Sequence, residues 1–197
     1  MNFIRETITA FRMTLVVWLL TAIIYPLGIL VIGQAFFPFQ ANGSVMVNLD
    51  TQPIGSALIG QTFTSEGYFH GRPSSVRYSQ GKQASPTGIS GGSNFAPSNP
   101  ALLERILERA TELQEENIQP LADLIYASGS GLDPHISLRA ARQQLSRVAL
   151  ARDVKEDEII PLINRYTDNR FLRVFGEPGV NVLRLNYALD LQDINSQ

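Results

Sequence analysis

The sequence predicts an α+β protein: one N-terminal transmembrane helix followed by a single mixed α/β soluble domain. Three observations predict it. Residues 13–49 contain no charged side chain. Apolar residues recur at helical spacing in three segments after residue 99. Short β-like runs punctuated by glycine precede those helices. The 197 residues thus divide into an N-terminal segment (1–12), a span (13–37) and a domain (38–197) long enough to bury one sizeable core.

The span reads MTLVVWLLTAIIYPLGILVIGQAFF from Met13 to Phe37. At about 1.5 Å per residue it reaches roughly 37 Å, more than the roughly 30 Å of a hydrocarbon core. A cleaved signal peptide would have an apolar core of about 7–15 residues and a small-residue cleavage site, whereas this run is longer and is bounded by Phe36, Phe37 and Phe39. Pro26 and Gly28 are tolerated in bilayers, where neighbouring helices satisfy a freed carbonyl. Arg5 and Arg12 precede the span, and no Lys or Arg follows before Arg72. The positive-inside rule then predicts a single-pass protein of the inner (plasma) membrane, N-terminus cytoplasmic and domain periplasmic.

Within the domain, Val45-Met46-Val47, Ile59 to Phe63 and Tyr68-Phe69 read as short strands. Residues 71–100 differ: eighteen of them are Gly, Pro, Ser or Asn, and a loop that long in a compact domain is either functional or disordered. Arg72, Arg77 and Lys82 make it basic, with no acid. With Asn94, Arg72 and Arg77 are candidates for a docking surface, a reading that composition weighs equally with a plain solvated loop.

A helix follows, capped by Asn99 and opened by Pro100, with Leu102, Leu103, Ile106, Leu107, Ala110 and Leu113 on one face. A second starts after Ser137 and runs to about Arg152, with Ala141, Leu145 and Val148 inward. A third covers 155–168, with Ile159, Ile160, Ile163 and Tyr166 inward; Pro161 requires the first turn or a kink. Leu183, Leu185, Tyr187 and Leu189 alternate with Arg184, Asn186 and Ala188 as in a half-buried strand.

Net charge is −2, which gives no electrostatic case for nucleic acid. The absence of cysteine excludes disulfides and thiol chemistry. His70 and His135 are far apart in sequence, and no metal site is assigned.

The densest chemistry lies in Ala127-Ser-Gly-Ser-Gly-Leu-Asp-Pro-His-Ile-Ser137. Ser130, Asp133 and His135 supply the residue types of a membrane-anchored hydrolase. The elbow G-x-S-x-G is absent, however, and the three are sequence neighbours rather than distant partners. Ser128, Gly129, Ser130 and Gly131, ahead of a helix, offer backbone amides to an anion, although no Walker lysine follows. A tight turn closed by Asp133-Pro134 accounts for the same residues. No catalytic residue is assigned.

Seven motifs in order carry a family resemblance: Phe37-Pro-Phe-Gln-Ala-Asn-Gly-Ser44, Gly55-Ser-Ala-Leu-Ile-Gly-Gln-Thr-Phe63, Tyr68-Phe-His-Gly-Arg-Pro-Ser74, Ser90-Gly-Gly-Ser-Asn94 with Ser98-Asn-Pro100, Ala127 to Ser137, Gln144-Leu-Ser-Arg-Val-Ala149 and Gly176-Glu-Pro-Gly-Val-Asn-Val182. Together, behind one N-terminal span, they resemble the small C subunit of the Kdp-type, ATP-driven potassium transporter. Gly179 stands where that family often carries arginine.

The resemblance implies a non-catalytic subunit needed for assembly. Its partners would be a channel-like potassium-binding subunit, a P-type ATPase subunit, a small lipid-facing subunit and membrane lipid. It also implies a catalytic-chaperone role that raises the ATP affinity of the pump subunit, with Gln144 at the position linked to nucleotide handling. No cofactor is then bound stably, and ATP enters only through the pump subunit. A periplasmic domain does not reach cytoplasmic ATP. The expectation is therefore a domain that caps the outer face of the channel-like subunit through the 71–100 loop and neighbouring strands, and acts from there.

Overall fold

The computed structural model describes residues 3–80 and 88–196; Lys82 of the basic loop lies outside them. The chain divides into two compact units, Met1–Val45 and Met46–Gln197.

The first unit is a 34-residue helical rod from Phe3 to Phe36. It comprises α1 (Phe3–Leu19), one π-helical turn (Leu20–Ile24) and α2 (Tyr25–Phe36). The rod begins ten residues ahead of the apolar run because the segment carrying Arg5, Glu6 and Arg12 is itself helical. The π turn has a cause. Pro26 has no amide hydrogen, and in a regular helix its ring collides with the carbonyl four residues back. A widened turn immediately upstream, in which the Tyr25 amide reaches back to the Leu20 carbonyl, relieves that collision without ending the helix. None of the rod's apolar window is buried against protein, so the rod is a candidate membrane span. A single turn, α3 (Pro38–Ala41), follows.

The second unit opens with β1 (Val45–Val47) and β2 (Pro53–Ser56), paired in a two-stranded sheet. Asn48 closes their turn by accepting from the amides of Asp50 and Gln52 at 3.0 and 2.8 Å. Then come α4 (Pro100–Glu115), α5 (Ala122–Ile125), β3 (His135–Ile136), α6 (Leu138–Arg152), α7 (Glu156–Arg165), β4 (Thr167–Asp168), β5 (Gly179–Asn181) and α8 (Val182–Ser196). The three short strands form an antiparallel sheet in the order β3-β5-β4, with His135 opposite Asn181 and Thr167 opposite Val180. Ile136 and Val180 of that sheet join Phe69, Leu124, Val148, Ile159, Ile163, Leu185 and Leu189 in one core. An apolar rod followed by a mixed domain is the α+β class that the sequence predicts.

Two caps fall where sequence places them. The Asn99 side chain accepts from the Ala101 amide at 3.0 Å, and that of Ser137 from the Ala140 amide at 3.2 Å. α7 keeps going through Pro161, the sixth residue of the helix. Both Pro161 and Asp157, whose carbonyl loses its donor, are exposed, so water serves that carbonyl at little cost. α4 buries less than its pattern suggests: Leu113 is fully buried, while Leu103 and Leu107 are both 58% exposed.

Two expectations are corrected. Residues 183–189 are helix, not strand. Their alternation coexists with a helical stripe, Val182, Leu185, Asn186 and Leu189, all buried, and a short apolar run fits both periods. Ile59 to Phe63 and Tyr68-Phe69 are not in a ladder either. Side chains, rather than a neighbouring strand, take the backbone groups of Phe69.

Candidate functional site

The most organised polar region surrounds residues 66–70, a segment held between α6 and α8. Its backbone is bracketed residue by residue. The Gln144 side chain accepts from the His70 amide at 2.8 Å and donates to the His70 carbonyl at 3.0 Å. From the other helix, Asn186 accepts from the Phe69 amide at 2.8 Å and donates to its carbonyl at 2.9 Å. Arg147 donates to the carbonyls of Glu66 and Tyr68 at 2.6 and 3.1 Å, and Arg152 to that of Gly67 at 2.5 Å. The Phe69 groups are buried and those of His70, Tyr68 and Gly67 part-buried, and a backbone group withdrawn from water needs such a partner.

The bracket is itself braced. Arg147 donates to the Gln144 side-chain Oε1 at 2.9 Å, and its Nε lies 3.3 Å from Glu116, an ion pair without hydrogen-bond alignment. Burial lowers the Arg147 pKa, partly offset by Glu116. Arg152 pairs with Asp190 at 2.9 Å and stacks 4.8 Å from the Tyr68 ring centroid. The Tyr68 hydroxyl donates to Asp190 at 3.1 Å, and burial, reinforced by that carboxylate, raises its pKa. His70 has a lowered pKa, first from burial and then from the Arg147 charge. Gln144 is 1% exposed, and its Nε2 also lies 3.5 Å from the Ala140 carbonyl. Its amide is therefore saturated from within the protein.

Beside the bracket lies a cleft of about 450 Å³ lined by Gln61, Phe63, His70, Arg72, Arg77, Tyr78, Arg109 and Glu116 among others. Tyr78 forms part of its floor: burial raises its pKa to about 12, and its hydroxyl donates to the Arg72 carbonyl.

The three docking-loop residues have different situations. Arg72 is a structural node. Its guanidinium meets Asp123 at 2.8 Å, Asp133 at 3.3 Å and the His135 carbonyl at 3.1 Å. Arg77 and Asn94 are exposed.

The turn Ser128–Gly131 gathers the loop. The Ser128 amide donates to the Pro73 carbonyl at 2.9 Å, and the Ser130 carbonyl accepts from the Gly91 amide at 2.8 Å. The Gly131 carbonyl accepts from Ser74 at 2.7 Å. The Gly131 and Leu132 amides are taken by the hydroxyls of Ser128 and Ser130, each at 3.1 Å. Gly131 has φ +67°, and a Cβ there would lie 2.6 Å from the Gly91 carbonyl oxygen. The Ser128, Gly131 and Leu132 amides are thus spent on the turn and the chain around it.

Ser130 and His135 do not form a nucleophile–base pair. His135 directs Nε2 at Asp168, 3.0 Å away, and Nδ1 at Asp133, 3.5 Å away. Ser130 Oγ instead faces Ser128 Oγ at 3.1 Å. With a carboxylate at each ring nitrogen, no lone pair is left to activate a serine. The hydrogen bond to Asp133 chiefly raises the His135 pKa, against burial and with help from Asp168. For Asp133, burial pushes upward but is outweighed by hydrogen bonds from His135 and the Arg72 charge, so its pKa is lowered.

Arg147, Arg152, Asn181 and Asn186 receive no site role from the sequence. Asn181 donates to the Ala57 carbonyl at 2.7 Å and caps α8 at the Arg184 amide, 3.1 Å away. The available signal was position: Gln144 shares the inward face of Ala141, Leu145 and Val148, and a polar side chain there needs buried partners.

Residues 7–191 match the family described as "KdpC: K+-transporting ATPase, c chain". A Nostoc sp. protein, "Potassium-transporting ATPase KdpC subunit 2", is 72% identical over 197 residues, covering 100% of this chain and 99% of that one. A Synechocystis sp. KdpC subunit is 59% identical over 187 residues, 95% of this chain and 98% of the relative. A Mycobacterium tuberculosis KdpC subunit is 46% identical over 191 residues, 94% and 98% of the two chains. Bracket, turn and all but the first residues of the rod fall within residues 7–191, and the chain belongs to the KdpC family, the c chain of the K+-transporting ATPase.

Proposed function

We propose that this chain is the non-catalytic accessory subunit of an ATP-driven potassium uptake complex, acting through assembly rather than through chemistry of its own. One observation carries the reading: the match to potassium-transporting ATPase subunits runs along the whole chain, rod and domain alike. The saturated state of Gln144 and the carboxylate-flanked His135 agree with it. Its partners are a channel-like potassium-binding subunit, a P-type ATPase subunit and a small lipid-facing subunit. Co-purification from membranes with the first two is expected; recovery of the tagged chain without either removes the proposal.

The finer reading has the N-terminus in the cytoplasm and the domain in the periplasm, supported by Arg5 and Arg12 ahead of the rod. Cysteine introduced at exposed Ser98 then reacts with an impermeant thiol reagent once the outer membrane is opened. Reaction only after the inner membrane is breached reverses the orientation.

Within that arrangement the subunit raises the ATP affinity of the pump subunit as a catalytic chaperone, and the role of Gln144 is indirect. Its amide fixes His70 and, with it, part of the wall of the Arg77-lined cleft. Coupling over such a distance requires contacts that differ between two pump states. Complexes carrying Gln144→Ala are expected to show a higher KM for ATP at unchanged subunit stoichiometry. An unchanged KM in an intact complex breaks the link.

A further inference from the structure

Between β4 and β5 the chain makes a tight protruding turn whose side chains serve neither the core nor the bracket. Phe171 and Phe175 exchange backbone hydrogen bonds at 2.9 Å in both directions, closing a loop of three residues. Leu172 and Arg173 sit at its tip with φ of +51° and +63°, a left-handed backbone that glycine or asparagine adopts more readily. Bulky residues held in that conformation mark a turn whose side chains matter more than its ease of formation. Phe171, Leu172, Val174 and Phe175 are 71%, 71%, 69% and 64% exposed.

The turn itself is basic, although an acid stands at each end: between Asp168 and the exposed Glu177, Asn169 to Gly176 contains Arg170 and Arg173 and no acid, and neither arginine has an ion-pair partner among the described residues. Asp168, just before the turn, is engaged by His135 at 3.0 Å and Arg184 at 3.8 Å.

We propose that the Phe171–Phe175 turn is a second membrane contact: its four apolar side chains enter the bilayer interface while Arg170 and Arg173 meet anionic lipid phosphates. The occupant follows from shape and charge. A protein pocket receives one buried anchor ringed by polar contacts. This tip carries apolar side chains on both arms, Phe171, Val174 and Phe175, and pairs Leu172 with Arg173 at its apex, which suits an interface that offers both apolar chains and anionic phosphates. Apolar and aromatic side chains beside arginine are the composition of interfacial elements, which bury about 5–10 Å deep. The bilayer is at hand because the same chain carries a candidate span. The inference rests on that anchored reading but holds for a domain on either side of the membrane.

The test places the photoreactive residue p-benzoylphenylalanine at Leu172 in the full chain within the assembled complex, in vesicles of phosphatidylglycerol and phosphatidylcholine. Irradiation is expected to give an adduct of lipid mass on this chain. Phosphatidylglycerol adducts should fall roughly fivefold for each of Arg170→Gln and Arg173→Gln, the effect of one basic residue near an anionic surface. Cross-linking to another subunit, or no adduct at all, overturns the proposal. Lipid adducts indifferent to both arginine changes overturn its electrostatic half. Extraction by carbonate is run alongside: a chain released from the membrane sinks the anchored reading itself, a result separate from a silent tip on a retained chain.

Discussion

The side-chain amide of Gln144 exchanges two hydrogen bonds with the backbone of His70, 74 positions away, accepting at 2.8 Å and donating at 3.0 Å. That is the exchange an antiparallel strand makes with the residue opposite, performed here from a helix. Gln144→Ala leaves a part-buried amide and a part-buried carbonyl of His70 without partners, at a cost of about 3 kcal/mol. For a domain of this size the melting temperature falls by roughly 6–12 °C. Exposed Gln143→Ala, one position away, stays within about 0.5 kcal/mol. Thermal melts of the full-length chain in detergent, without nucleotide, check this; equal melting points for the two variants refute the structural role.

Asn186 brackets Phe69 from the opposite helix, so the two amides hold adjacent residues of one segment. Loss of either frees the segment and devalues the other. The double variant Gln144→Ala/Asn186→Ala is expected to be more stable than the sum of the single losses by about 1 kcal/mol. Strict additivity in denaturant melts would show the two clips to be independent.

What sequence made legible follows from how local each signal is. The rod, the Asn99 and Ser137 caps and the α6 core face depend on residues within one or two turns of each other, and all are present. The bracket depends on pairs such as Gln144 with His70 and Asn186 with Phe69, and nothing local announces those. The same gap explains why Tyr68-Phe69 reads as a strand: its β-like composition is real, but the backbone partners of Phe69 are the side-chain amide of Asn186. The 183–189 error has a different origin, two periods overlapping in one short run. The turn at Ser128–Gly131 was visible as a turn, while its role as the collecting point for Pro73, Ser74 and Gly91 needed the fold.

Gly60 packs where no side chain fits. A Cβ there would lie 2.3 Å from the Tyr78 ring and 2.7 Å from the Asp133 carbonyl oxygen. Since the second contact is backbone, no rotamer change relieves it. Gly60→Ala is expected to destabilise the domain by about 2–4 kcal/mol, whereas Gly129→Ala, with nothing within 4 Å of its Cβ, changes little. Chemical denaturation of both variants decides it, and matching midpoints would refute the close packing.

His135 gives the domain a pH dependence of defined sign. Asp133 and Asp168 flank its ring, Arg72 and Asp123 stand behind Asp133, and Arg184 shares Asp168. Its pKa is raised above the ordinary 6.5, so the folded state binds its proton more tightly than the unfolded chain. That stabilisation is fully present below about pH 6.5 and disappears as pH rises through the raised value. Asp133, with a lowered pKa, adds stability above its ordinary 3.8 that is lost as acid protonates it. His70 works in reverse: its lowered pKa means that acidification below about pH 6.5 costs stability. The melting-point difference between the unaltered chain and His135→Gln is therefore expected to be largest near about pH 5.5 and to shrink toward about pH 8.5. For His70→Gln the unaltered chain should lose ground as pH falls. If the His135 difference instead grows with pH, the imidazole is held neutral between the two carboxylates and the charge network has been read with the wrong sign.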